Sequence, residues 1–214
     1  MTTDHLAPLS RATLRQYGYA LSSLPLAIAG FVWTVTLLSF GAGTVVTVLG
    51  LPVLALLLVG ARGFGAVERG RVRRLLGDDL PGPDPVVQRQ PGVWGAVTAR
   101  LADPAGWKAA LYLVVMFPWS ILSFVLTVVF GLVGWVCALY PCYAWVFPRY
   151  VGWRGYRLFE YTGADGVHHV YELSSLWQIA ATSLIGIALV FLTPLLVRGL
   201  TGVSRGAARG LLGR

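Results

Sequence analysis

QYGYALSSLPLAIAGFVWTVTLLSFGAGTVVTVLGLPVLALLLVGA, residues 16–61, holds 46 positions without one Asp, Glu, Lys, Arg or His, and it is bracketed by Arg15 and Arg62. A run of this kind belongs in lipid. As a single helix rising about 1.5 Å per residue it would reach roughly 69 Å, more than twice the roughly 30 Å hydrocarbon core of a bilayer. It therefore reads as a helical hairpin, with one helix over about Tyr19–Phe40, a reversal at Gly41-Ala42-Gly43 and a second helix over about Thr44–Gly60. Two glycines tolerate the backbone angles of a tight reversal. Both flanking arginines then leave the membrane on the same side.

The composition agrees. Of 214 residues 56% are hydrophobic and 12% charged, with a mean hydropathy of +0.69, far more apolar than a soluble domain of this length. The net charge of +8 would point to nucleic acid in a soluble protein. Here topology explains the cations, and no nucleic-acid partner is expected. Arg11 and Arg15 precede an apolar run too long for a cleaved signal peptide, so the first span reads as a retained signal anchor with a cytoplasmic N-terminus.

Beyond the hairpin, Arg62, Arg69, Arg71, Arg73 and Arg74 form a basic segment, and Asp78-Asp79-Leu80-Pro81-Gly82-Pro83-Asp84-Pro85 is a linker in which three prolines forbid a helix. A short helix is expected over Val93–Leu101, and Asp103-Pro104 reads as an N-cap followed by proline at the first helical position. Residues 109–148 are again free of charge, and Trp135, Tyr140, Tyr143, Trp145 and Phe147 crowd the far end. Such rings gather at the membrane interface. The third span is placed over Leu111 to about Trp135, with the remainder interfacial or partly re-entrant. Strand-like stretches at 156–161 and 167–173 flank Thr162-Gly163-Ala164-Asp165-Gly166, the pattern of a β-hairpin. Ser175-Leu176-Trp177-Gln178 matches a capping box, opening a last span over Leu176–Val197.

Two internal correspondences organise these spans. Pro25–Leu37 aligns with Pro118–Phe130 at an offset of 93, and Tyr19 matches Tyr112 at the same offset. Arg62–Gly77 aligns with Arg198–Gly213 at an offset of 136, identical at nine of sixteen positions. The expected architecture is thus an all-α membrane protein in one domain spanning 1–214. Four transmembrane helices form a duplicated two-span unit, with repeats at about 17–77 and 104–213 and a linker at 78–103. A small extracytoplasmic insert at about 140–175 is present only in the second repeat. Under four spans, fourteen of seventeen cations lie on the side of the termini, and only Arg149, Arg154 and Arg157 lie opposite. Both termini are expected in the cytoplasm, and the protein in the plasma membrane.

The apolar hairpin ending in Ala61-Arg62-Gly63, the basic segment to Leu75-Leu76-Gly77, Asp103-Pro104 with Trp107, Tyr112 and Phe117-Pro118, and the closing Val197-Arg198-Gly199-Leu200 together resemble the sensor domain at the N-terminus of actinobacterial two-component histidine kinases. The resemblance covers nearly the whole chain. It implies signal input to a cytoplasmic histidine kinase or other output domain joined after the last span. Because the sequence given stops at Arg214, that output is expected from a partner or from a portion not included. The expected partners are the lipid bilayer, a second copy of the chain and the output domain. The alternative is an accessory or structural membrane subunit of a transporter or envelope complex.

Chemistry-bearing motifs are sparse. GxxxxGK[ST], His-x-x-x-His and CxxC do not occur. The resembled kinases use Asn at their nucleotide site, and this chain contains none. No cofactor, metal or enzymatic activity is expected. The four spans, drawn between their flanking cations, carry no charge. Cys137 and Cys142 are read as ordinary buried small residues in preference to a disulfide. The insert is the candidate signal input, through Trp145, Arg149, Trp153, Arg154, His168, His169 and Glu172. Neighbouring strand positions face opposite ways, so His168 and His169 read as solvated hairpin residues. The candidate output is the helix from Arg198, where Arg198, Arg205 and Arg209 fall within about 40° of one another and Leu200, Val203, Ala208, Leu211 and Leu212 lie opposite. Such a helix suits the surface of the inner leaflet.

Overall fold

The computed structural model describes residues 10–153, 155–162 and 168–213, with the backbone alone at Ala12, Leu158 and 168–172. The described residues form helices α1 (Arg11–Gly43), α2 (Gly50–Arg71), α3 (Val93–Leu101), α4 (Pro104–Ala138), α5 (Tyr140–Tyr143) and α6 (Leu176–Leu212), and strands β1 (Tyr156–Thr162) and β2 (His168–Leu173). Four helices are long and apolar enough to cross a membrane, over Thr13–Gly43, Gly50–Leu76, Pro104–Ala138 and Leu176–Leu212. The protein is all-α apart from the hairpin. Two compact units divide the chain, one within Leu9–Thr127 and Leu196–Arg214, the other within Val128–Leu195.

In the first unit, α1 and α2 run antiparallel. Trp33 Nε1 donates to the Leu57 carbonyl at 3.3 Å, and Tyr19 meets Glu68 near the other end. The reversal is not at Gly41-Ala42-Gly43. Those residues are the last turn of α1, and the turn is 44–49. Gly41 is there for close approach, since a Cβ at this position would lie 2.7 Å from the Leu54 side chain. Thr44 ends the helix by donating both its N–H (3.0 Å) and its hydroxyl (2.7 Å) to the Phe40 carbonyl.

The spans also outrun the charge-free windows. Helix α2 continues through Arg62, Glu68, Arg69 and Arg71 into one wide π-helical turn, Val72–Leu76. That turn stops at Gly77, whose φ of 73° is the left-handed conformation glycine adopts at low cost. Helix α6 likewise continues past Val197 to Leu212 without a break. Leu57, Leu58, Val72, Tyr112, Ala208 and Leu212 form the centre of the core of this unit.

Local signals read from the sequence appear where expected. Asp103 caps α4, accepting from Ala105 N–H at 3.2 Å and Gly106 N–H at 3.0 Å. Helix α3 occupies Val93–Leu101. Pro25 and Pro118 lie inside α1 and α4. Hydroxyls within the apolar helices donate to the carbonyl four residues back, as at Thr34 to Gly30 (2.8 Å), Thr127 to Ser123 (2.7 Å) and Thr193 to Leu189 (2.7 Å). That satisfies a polar group where lipid offers no partner.

In the second unit the chain leaves α4 at Ala138 and passes through α5 and a π-helical turn, Phe147–Val151, to the hairpin. The 134–148 stretch holds no further spanning helix among the described residues. Strands β1 and β2 pair antiparallel, Tyr156 opposite Leu173 and Thr162 opposite His168, with a bulge between Arg157 and Phe159. The expected turn at 163–166 lies outside the described residues. Ser175 and Gln178 make the capping box, Ser175 Oγ accepting from Gln178 N–H at 3.2 Å and Gln178 Oε1 accepting from Ser175 N–H at 3.1 Å. Here α4 and α6 touch through small residues. A Cβ on Gly186 would lie 2.1 Å from the Ala138 nitrogen. Both cysteines are free, and Cys142 is exposed and not buried as expected.

Candidate functional site

The most unusual chemistry of the first unit sits on α2, in the stretch the sequence marks only as a basic segment. Glu68 is 4% exposed. Tyr19 Oη donates to its Oε1 at 2.5 Å, and Tyr112 Oη reaches the same oxygen at 3.4 Å. The other carboxylate oxygen pairs with Arg71, one helical turn on. Arg71 in turn donates to the Tyr19 carbonyl at 2.9 Å and to Ser22 Oγ at 2.8 Å, and its guanidinium lies 4.8 Å from the Tyr19 ring centroid. Helices α1, α2 and α4 thus meet on one carboxylate.

Glu68 lies seven positions beyond the charge-free window, on the continuation of α2. The helix is longer than the charge-free run, and a buried carboxylate is tolerable because a cation and two phenols take up its lone pairs. Beside it lies a cavity of about 30 Å³ lined by Tyr19, Glu68, Arg71, Tyr112, Ser120 and Ser204 among others, polar enough and large enough to admit water. A carboxylate buried among three helices, on the continuation of a spanning helix, is the candidate site of this unit. The sequence carries one trace of the arrangement: Tyr19 and Tyr112 are the pair matched at the offset of 93, and both end on Glu68.

A second polar cluster holds the end of α6. Asp78, the first residue after Gly77, accepts from Arg209 at 2.6 and 2.8 Å and pairs with Arg205 Nε at 3.2 Å. Arg205 also donates to the Leu76 carbonyl at 3.3 Å. Opposite these arginines, Leu200, Ala208 and Leu212 are buried in protein, whereas Val203 is half exposed. Trp119 Nε1 donates to Ser204 Oγ at 3.1 Å. The stretch 198–212 is therefore fastened to α2, α4 and the linker and does not present its apolar stripe to a leaflet. Arg198 is half-buried.

The candidate signal-input residues are distributed over the second unit. Trp145 is exposed, donating to the Cys142 carbonyl at 2.8 Å with its ring 6.1 Å from that of Tyr150. Arg149 is exposed in the π-helical turn, and Trp153 lies under the Arg157 guanidinium at 4.6 Å. Arg154 and the side chains of His168, His169 and Glu172 lie outside the described residues. Their strand backbone sets His168 opposite Thr162, His169 opposite Tyr161 and Glu172 opposite Arg157.

The residue that organises this unit is Tyr140, which sequence reading took for an interfacial ring. It is 3% exposed, its Oη donates to the Leu173 carbonyl at 3.0 Å and accepts from Tyr156 N–H at 3.2 Å, and its ring packs edge-on against Tyr143. It ties the base of the hairpin to the end of α4. Burial pushes the neighbouring Tyr143 phenol above its ordinary pKa.

The family model described as Putative sensor matches residues 19–212, from the tyrosine on Glu68 to the leucine that closes α6. The chain belongs to that family. No curated protein and no solved structure was found similar to it. As a sensor-family chain it has the Glu68 network, the Asp78 clasp and the Tyr140 tie within the matched residues.

Proposed function

We propose that this sensor-family chain is the membrane-embedded input module of a two-component-type signalling system. It resides in the plasma membrane with both termini cytoplasmic, and passes an extracytoplasmic or membrane signal to a cytoplasmic output partner, a histidine kinase in the simplest case. The observation that carries the reading is α6. It begins two residues after β2, runs 37 residues as one helix, and ends beyond the Asp78 clasp. Its length of roughly 55 Å exceeds the roughly 30 Å hydrocarbon core, so the helix that follows the hairpin is long enough to cross the bilayer and reach a polar environment. The fourteen-to-three division of cations supports the orientation.

The clasp supplies a two-state element. Asp78 closed on Arg205 and Arg209 is one state, and release of the α6 end is the other. Exposed ion pairs are worth at most about 1 kcal/mol each, so a signal of ordinary affinity can shift the balance. The functional unit is a dimer, as a trans-acting kinase output needs.

A reporter kinase fused after Arg214 tests this. Replacing Arg149–Leu173 by a short Gly-Ser turn should leave membrane insertion intact and abolish the stimulus response, while Asp78→Ala should raise or lock the basal output. A fusion that responds normally in both variants would refute the route through α6. A wild-type fusion that never switches would favour the accessory-subunit role.

A further inference from the structure

A cavity in the first unit belongs to neither polar cluster. It measures about 790 Å³, within the range of small-molecule sites. The 83–90 stretch of the linker, α3, the start of α4 and the end of α6 enclose it. Four cations line it, Arg62, Arg69, Arg89 and Lys108, against two carboxylates, Asp84 and Asp103.

Asp103 is already committed. Its oxygens cap α4 and face Arg62 Nε at 2.8 Å. Arg62 gives another donor to the Asp84 carbonyl at 2.7 Å. Arg69, Arg89 and Lys108 make no ion pair among the described residues. With Arg62 set against Asp103, these three cations face one carboxylate, Asp84, and the net positive charge of the concavity attracts an anion. Val86, Val87 and Leu211 give the same cavity an apolar wall. Its depth is set by the sequence: the charge-free run of α4 begins at Ala109, one residue after Lys108, and that of the first hairpin ends at Ala61, one residue before Arg62. The cavity therefore stands where the hydrocarbon ends and headgroups begin.

We infer that this cavity binds an anion carrying phosphate beside an apolar portion, held by Arg69, Arg89 and Lys108, with Leu211–Gly213 of the α6 end forming part of its wall. Arginine and lysine are the usual phosphate ligands. The phosphate comes either from a membrane phospholipid or from a soluble phosphate compound, and the two arms of the test separate them.

The full chain is purified in detergent and titrated with inorganic pyrophosphate, and in parallel reconstituted in phosphatidylcholine nanodiscs with and without phosphatidylglycerol, retained lipid being read by native mass spectrometry. Pyrophosphate binding assigns the soluble source. Selective retention of phosphatidylglycerol assigns the lipid. Arg69→Gln with Lys108→Gln should weaken whichever is bound at least about tenfold. Arg73→Gln with Arg74→Gln removes the same charge from exposed residues outside the cavity and should change binding less than about twofold. Arg89→Gln, on the exposed linker, should weaken binding about threefold and serves if the first double variant does not fold. Failure of both probes to bind, or an equal loss in the two double variants, overturns the assignment. Binding is measured without an output domain, so it stands or falls apart from the signalling role.

Discussion

Glu68→Gln keeps the shape of the side chain while removing its charge from the network that joins α1, α2 and α4. Breaking a buried ion pair by deleting one partner costs about 3–5 kcal/mol. Arg71 keeps two other acceptors, the Tyr19 carbonyl and Ser22 Oγ, and its side chain is 15% exposed, so the expected loss is at the lower end, about 3 kcal/mol. Tyr19→Phe leaves the ring under the guanidinium and deletes only a hydroxyl 2.5 Å from a charged acceptor. That costs about 1.5–2 kcal/mol. Tyr112→Phe deletes a 3.4 Å contact to the same oxygen and should cost below about 1 kcal/mol. Reversible unfolding in mixed micelles, followed by tryptophan fluorescence and circular dichroism, gives all three values. Combining Tyr19→Phe with Glu68→Gln should cost less than the sum by about 1 kcal/mol, because the second change removes a partner already lost. A near-neutral Glu68→Gln, or a Tyr112→Phe loss as large as that of Tyr19→Phe, would refute the network as the link between these helices.

Asp78→Ala should cost no more than about 1–2 kcal/mol in global unfolding, since its pairs are partly exposed, yet speed amide exchange over residues 205–213, and added salt should reproduce part of the effect in the wild type. Tyr140→Phe removes the donor to the Leu173 carbonyl and the acceptor for Tyr156 N–H, and exchange in both strands should rise by the equivalent of about 1–2 kcal/mol with the spanning helices unchanged. Gly186→Ala places a Cβ 2.1 Å from the Ala138 nitrogen and should destabilise by about 1–3 kcal/mol, whereas Gly131→Ala, with nothing within 4 Å of the new atom, should be neutral or slightly stabilising in the same unfolding assay.

The existence of four spans was legible because apolarity over about 20 residues is a sum of local transfer terms and needs no knowledge of neighbours. The N-cap at Asp103, the capping box at Ser175 and the strands around 163–167 were legible for a related reason. The caps are closed by partners within three residues and the strands by the neighbouring segment of a short hairpin, so a short stretch of the string contains the whole interaction. The ends of the long helices were legible mainly where such a cap existed. Gly41 and Gly43 looked like a turn, but the side chain of Leu54 makes Gly41 a packing position, and two threonines end the hairpin instead.

What only the tertiary structure decided is which polar groups find one another. Glu68 lies 49 positions from Tyr19 and 44 from Tyr112, Asp78 lies 131 from Arg209, and Tyr140 lies 33 from Leu173. A charge next to an apolar run reads as a topological anchor, because by itself that is the cheapest state for it: exposed at the headgroup level. The folded chain offers another state, in which a cation and two phenols replace water around a carboxylate, and its free energy depends on three helices arriving together. Sequence by itself determined that this protein lives in the bilayer, where each span begins or ends at a local cap, and to which family it is similar. Packing determined that the charges at those ends close onto one another, since pairing between distant segments is a property of their joint geometry and of no segment alone.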